Sequence, residues 1–80
     1  MTDVQLTRVR KLVCETLELD GDGITDTSLF VDDHGADSLK LIEILAALER
    51  EFDIEIDQAD IGRMVHLQGV YRVVSETAGW

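Results

Sequence analysis

Ser38 is the residue whose surroundings first suggest chemistry, with His34 four positions before it and carboxylates at Asp32, Asp33 and Asp37. A serine hydrolase needs a nucleophile beside a base, presented on a strained turn whose usual form is G-x-S-x-G. The residues here are Gly35-Ala36-Asp37-Ser38-Leu39, which is not that elbow. So short a helical chain also lacks walls for an enclosing substrate pocket. Asp20-Gly21-Asp22-Gly23 superficially resembles the start of a calcium loop. Counting from Asp20, however, the fifth, sixth and twelfth positions are Ile24, Thr25 and Val31, where an oxygen donor, glycine and glutamate are required. One cysteine and two separated histidines cannot build a structural zinc site. Neither a catalytic residue nor a metal ligand is assigned.

The elements that would position Ser38 follow from apolar spacing. Leu6, Val9, Val13 and Leu17 recur at three- and four-residue intervals, which predicts an amphipathic helix over Val4 to Leu17, with Asp3 as its N-cap. Cys14 falls on the flank of that stripe, where a half-buried, inert thiol is expected. Leu19 to Asp37 reads as a long connection, pinned to the core by an apolar knot of Leu29, Phe30 and Val31. A second helix is predicted over Leu39 to Phe52, burying Leu41, Leu45, Leu48 and Phe52 with Ile44 alongside. Lys40, Glu43, Ala47 and Arg50 are expected on its opposite side, and Leu39, Ile42 and Ala46 on an apolar shoulder next to Ser38. Ile54 and Ile56 alternate with acids but have no partner strand, so an extended connection is expected, then a helical turn around Ala59 to Met64. A last helix over Leu67 to Val74 would bury Leu67, Val70, Tyr71 and Val74 and be weakened by Gly69. The fold class is all-α: a small bundle of three main helices plus a short one, with a long loop between the first two.

Composition narrows the function classes. Eighty residues make one domain spanning 1–80, and 45% hydrophobic residues suffice for a core. Seventeen acidic against seven basic residues give a formal charge of -10. Such a field repels phosphate backbones and anionic lipid, which disfavours nucleic-acid and membrane-surface partners, and it attracts basic protein surfaces. No apolar run approaches the roughly 20 residues of a membrane span. The start, Met1-Thr2-Asp3, lacks signal-peptide regions, so a cytoplasmic location is expected.

Asp37 and Ser38 are both good helix-start residues, and simple capping would account for them. An apolar shoulder rimmed by charge is also how a transient docking surface looks. At these residues the chain resembles the acyl carrier protein family. Phe30-Val31-Asp32-Asp33-His34-Gly35-Ala36-Asp37-Ser38-Leu39 is similar to the family's segment around its phosphopantetheine serine, with the D-S-L core intact. Ile42-Glu43 and Ala47-Leu48-Glu49-Arg50-Glu51-Phe52 are similar to the helix that follows it. Weaker likeness covers nearly the whole chain. His34 stands where the family often has leucine, Lys40 where fatty-acid carriers usually have an acid, and His66 where threonine often begins the last helix.

The resemblance implies that Ser38 carries 4′-phosphopantetheine through a phosphodiester, installed from coenzyme A by a separate magnesium-dependent transferase. It implies a carrier rather than an enzyme, monomeric, presenting thioesters to acyltransferases or acyl-activating enzymes and to ketosynthase-type enzymes of polyketide or fatty-acid biosynthesis. Asp37, Leu39, Lys40, Ile42, Glu43, Ala46, Glu49 and Arg50 are the expected partner-recognition residues. The alternative from another class is a small acidic adaptor that binds basic surfaces without a prosthetic group.

Overall fold

A computed structural model describes residues 2–19 and 23–80. Among the described residues three α-helices, α1 (Asp3–Leu17), α2 (Ser38–Phe52) and α3 (Leu67–Ala78), enclose the core, and a 310 turn, Gln58–Arg63, precedes α3. No strand forms among the described residues, and Ile54 to Asp57 carries no regular secondary structure. The all-α expectation holds. The Asp20-Gly21-Asp22 run lies outside the described residues.

α1 starts one residue earlier than its apolar stripe suggests, and its cap is Thr2 rather than Asp3. Thr2 Oγ1 accepts the Gln5 N–H at 3.2 Å while Gln5 Oε1 accepts the Thr2 N–H at 2.7 Å. This reciprocal capping box satisfies two amides that a bare helix end would leave open. Asp3 instead sits in the first turn, where its charge suits the positive end of the helix dipole.

Val9 and Val13 of α1, Ile44 and Leu48 of α2, and Leu67, Val70 and Val74 of α3 meet in the centre. Two predicted core members lie at its edge. Phe52 and Tyr71 are half-buried, and Val73 takes the inward place beside Val74. α3 also runs four residues past Val74, to Ala78. Gly69, expected to weaken α3, is buried against the 310 turn. A Cβ there would stand 1.9 Å from the Arg63 carbonyl oxygen, so only glycine permits this close backbone approach.

The first loop is fastened at several points. Phe30 is fully buried, its N–H donating to the Val65 carbonyl at 2.9 Å, and the Gln68 N–H donates to the Asp26 carbonyl at 2.9 Å. Arg10 Nη2 donates to the Ile24 carbonyl at 2.8 Å. The predicted knot therefore holds through Phe30, with Leu29 half-buried, whereas Val31 remains 49% exposed. At the far end of the bundle, Arg8 pairs with Glu51 and lies 5.5 Å from the Phe52 ring centre. Trp80 meets that ring edge-on, with centroids 5.2 Å apart.

Candidate functional site

Ser38 is the first residue of α2, and two features of the local sequence put it there. Asp37 is extended (φ -108°) and its Oδ1 accepts the Lys40 N–H at 3.0 Å, while the Leu41 N–H donates to the Asp37 carbonyl at 3.2 Å. Just upstream, Gly35 adopts φ 68°, a left-handed conformation that a side chain would strain, and this turns the chain into the helix. Of the two good helix-start residues, Asp37 does the capping. The Ser38 side chain is exposed and its hydroxyl makes no hydrogen bond among the described residues.

The loop ahead of Ser38 is held by its own polar groups. The Asp33 carboxylate accepts the Leu29 N–H at 2.7 Å, and the Asp33 N–H donates back to the Leu29 carbonyl at 2.8 Å. The Gly35 N–H donates to the Val31 carbonyl at 3.1 Å and the Ala36 N–H to the Phe30 carbonyl at 2.9 Å. His34 Nε2 lies 2.9 Å from Ser28 Oγ, a hydroxyl that also lies 3.1 Å from the Thr25 carbonyl oxygen. His34 is thus a fastening of the loop. Sequence reading missed this role, although Thr25 and Ser28, three apart and each accepting the other's N–H, form a recognisable hydroxyl turn.

The outer face of α2 differs from the expected one. Leu39, Glu43, Ala46 and Arg50 point away from the core with Ile42 beside them, whereas Lys40 and Ala47 are half-buried on the flank. The reason is rotational: at ~100° per residue, positions 39, 43, 46 and 50 oppose the buried Leu41, Ile44, Leu45 and Leu48. The residues read as a shoulder are therefore the outermost. Leu39 is 62% and Ile42 44% exposed.

Charged groups on this helix mostly have partners within the protein. Lys40 Nζ is 3.4 Å from Glu43 Oε2, the Ile56 N–H donates to Glu49 Oε2 at 2.9 Å, and Glu51 pairs with Arg8. An open groove of about 560 Å³ runs past Ala46, Glu49, Arg50, Asp53 and Ile54. Ser38 does not line it, and its lining holds no serine, cysteine or histidine.

Cys14, expected half-buried, is buried. Burial pushes its thiol up, against an opposing pull from Arg10. It is far less able than an exposed thiol to ionise and react. No group of three or more potential metal-ligating side chains occurs among the described residues. No helix is long and apolar enough to cross a membrane among those residues.

Comparison with known proteins matches this geometry to one family. A family model described as the phosphopantetheine attachment site covers residues 7–74. Polyketide-8 synthase acyl carrier protein 1 of Streptomyces avermitilis is 59% identical over 70 residues, 88% of this chain and 83% of that protein. An acyl carrier protein of Phenylobacterium zucineum is 54% identical over 56 residues, 70% of each chain. A chain in the solved structure described as the ishigamide ketosynthase/chain length factor superposes with a TM-score of 0.84 at 37% identity, covering 99% of this chain and 100% of its own. The two acyl carrier proteins are carriers rather than enzymes, and the carrier reading stands over that of an adaptor without a prosthetic group. A capped helix presenting an unengaged serine hydroxyl, within a chain this similar throughout, places the chain in the acyl carrier protein family, whose prosthetic group is phosphopantetheine.

Proposed function

We propose that Ser38 is the attachment residue and that the chain, a single carrier domain over residues 1–80, shuttles acyl groups between enzymes of a polyketide-type pathway. The observation that carries this is the exposed Ser38 hydroxyl, uncommitted among the described residues, at the first position of a helix whose cap is supplied by its neighbour. The 59% identity to a polyketide synthase carrier supports the pathway class. Its partners are then a phosphopantetheinyl transferase, an acyltransferase or acyl-activating enzyme, and a ketosynthase-type enzyme. The protein acts as a monomer in the cytoplasm.

The residues fit a phosphodiester. Asp37 occupies the Lys40 amide, which fixes the helix start without using the Ser38 or Leu39 N–H. Those two amides precede the first intrahelical acceptor and point along the axis toward negative charge, a favourable contribution of about 0.3–1 kcal/mol. Gly35 and the turn closed by Asp33 hold the approach to Ser38 in one shape, so its hydroxyl is offered to a transferase without prior rearrangement. When attached, the arm supplies a thiol that holds acyl groups as thioesters. The protein's own part is to present, orient and release.

Co-expression with a broad-specificity phosphopantetheinyl transferase tests this by intact mass. One added phosphopantetheine is expected on the wild type and none on Ser38→Ala. An unshifted wild type, or a shifted Ser38→Ala, sinks the assignment.

A further inference from the structure

The start of α3 is joined to the first loop by hydrogen bonds on either side of His66. The Phe30 N–H donates to the Val65 carbonyl, and the Gln68 N–H to the Asp26 carbonyl, each at 2.9 Å. Between these two bonds His66 caps the helix twice over. Its carbonyl accepts the Val70 N–H at 3.1 Å, and its Nδ1 accepts the Gly69 N–H at 2.9 Å. Gly69 is buried, so losing that acceptor is costly for its amide. A backbone N–H can only donate, which makes Nδ1 the bare nitrogen of the ring. A hydroxyl or amide cap keeps its acceptor throughout the neutral range. An imidazole loses its acceptor on taking up a second proton, as histidines do between about pH 5 and 8.

We infer that His66 is an acid-released clasp: a proton on Nδ1 breaks the α3 cap and thereby loosens the first loop ahead of Ser38. Two effects act in the same direction. The protonated ring has no lone pair for the Gly69 N–H, and its positive charge faces the positive end of the α3 dipole. The ionisable groups on the elements joined here are Arg63 of the 310 turn, Asp26 and His34 of the first loop, Arg10 of α1, and Arg72 and Glu76 of α3. Arg63 is held by Glu76, and no carboxylate is paired with the His66 ring among the described residues. The unfolded chain has no such cap to lose, so the folded state alone is weakened as pH falls through that range. The effect reaches the loop because Phe30, tied to Val65, also accepts the Ala36 N–H on its carbonyl at 2.9 Å, two residues before Ser38. This clasp goes beyond the carrier reading and does not depend on whether Ser38 bears an arm.

The test uses the full chain as wild type and as His66→Thr, with His66→Asn as a second cap that keeps its acceptor in acid, each checked for folding by circular dichroism. Nitrogen NMR of the imidazole at about pH 7.5 reads the tautomer. A proton on Nε2 with Nδ1 bare is expected, and a proton on Nδ1 would overturn the inference. Amide exchange, expressed relative to the unstructured rate at each pH, is then compared between about pH 7.5 and about pH 5.5. In wild type, protection of the Gly69, Gln68 and Phe30 amides should fall by about fivefold or more, the scale of one lost helix cap. In His66→Thr and His66→Asn it should change by less than about twofold. An equal response in wild type and both variants overturns the inference, because His34 and the carboxylates are common to all three. A fall confined to Gly69 overturns the link to the first loop.

Discussion

Two buried or half-buried side chains give the fold a pH dependence at its alkaline edge. Burial raises the Cys14 thiol above its ordinary 9.0, and Arg10 partly opposes this. Burial raises the Tyr71 phenol above 10.0, Asp26 adds to the shift, and Arg10 works against it. Both groups hold their protons more tightly folded than unfolded, so the unfolded chain releases them first as pH rises. With fewer protons bound in the unfolded state, unfolding free energy falls with pH. Stability should be fully present below about pH 9 and decline as pH climbs through the folded values of both groups. Urea midpoints measured from neutral to strongly alkaline pH should show that decline, and it should be shallower in Cys14→Ala with Tyr71→Phe. An equal slope in wild type and double variant would refute the assignment. At this scale the helix-start position of Ser38 was legible because aspartate and serine in that order mark a helix start. His66 was not. It caps α3 by accepting the Gly69 N–H on Nδ1 at 2.9 Å, doing with a ring nitrogen what the hydroxyl of a threonine would do. Side-chain oxygens are the usual signal for that position.

At the level of the element, α3 and the 310 turn are locked by a contact that no local rule reveals. Propensity treats Gly69 as a helix interior glycine costing about 1 kcal/mol relative to alanine. In the fold it is the one residue that admits the Arg63 carbonyl, while Arg63 reaches across to Glu76 at 2.8 Å. Gly69→Ala should therefore destabilise despite its better propensity, by an amount near the top of the ~1–3 kcal/mol range for overpacking, because the obstructing atom is backbone. Thermal melts of the variant decide it, and an unchanged or raised Tm would contradict the packing account. The helices themselves were readable from periodicity to within one residue at each start. The α1 cap was also visible in principle, since Thr2 and Gln5 have capping-box spacing, but Asp3 drew the assignment because acids are common caps. The outer face of α2 was misread by one position at Lys40 and Ala47, since three- and four-residue steps taken from the wrong origin drift round the helix. The end of α3 was cut short because Ser75, Glu76 and Thr77 carry no apolar signal.

For the whole molecule the governing quantity is the uneven charge. Beyond Leu12 there are sixteen acids and four bases, a surplus that repels itself when the protein is compact. Local pairs such as Arg8 with Glu51 and Arg63 with Glu76 are exposed and worth little each. Moderate salt should accordingly raise Tm at neutral pH, as differential scanning calorimetry between low and moderate ionic strength would register; a flat or falling trend would oppose this view. The two ends of the bundle also differ in kind. One end holds the fastened loop and Ser38, and the other holds the Arg8, Phe52 and Trp80 cluster. Trp80 is the chain's only indole, and its ring rests on the last residue of α2, whereas Ser38 is the first, about 21 Å away along the axis. The indole is thereby an optical gauge at the pole remote from Ser38. Its emission should follow the loss of native packing and stay unchanged when the proposed arm is attached at Ser38; a spectrum that shifts on loading would contradict this.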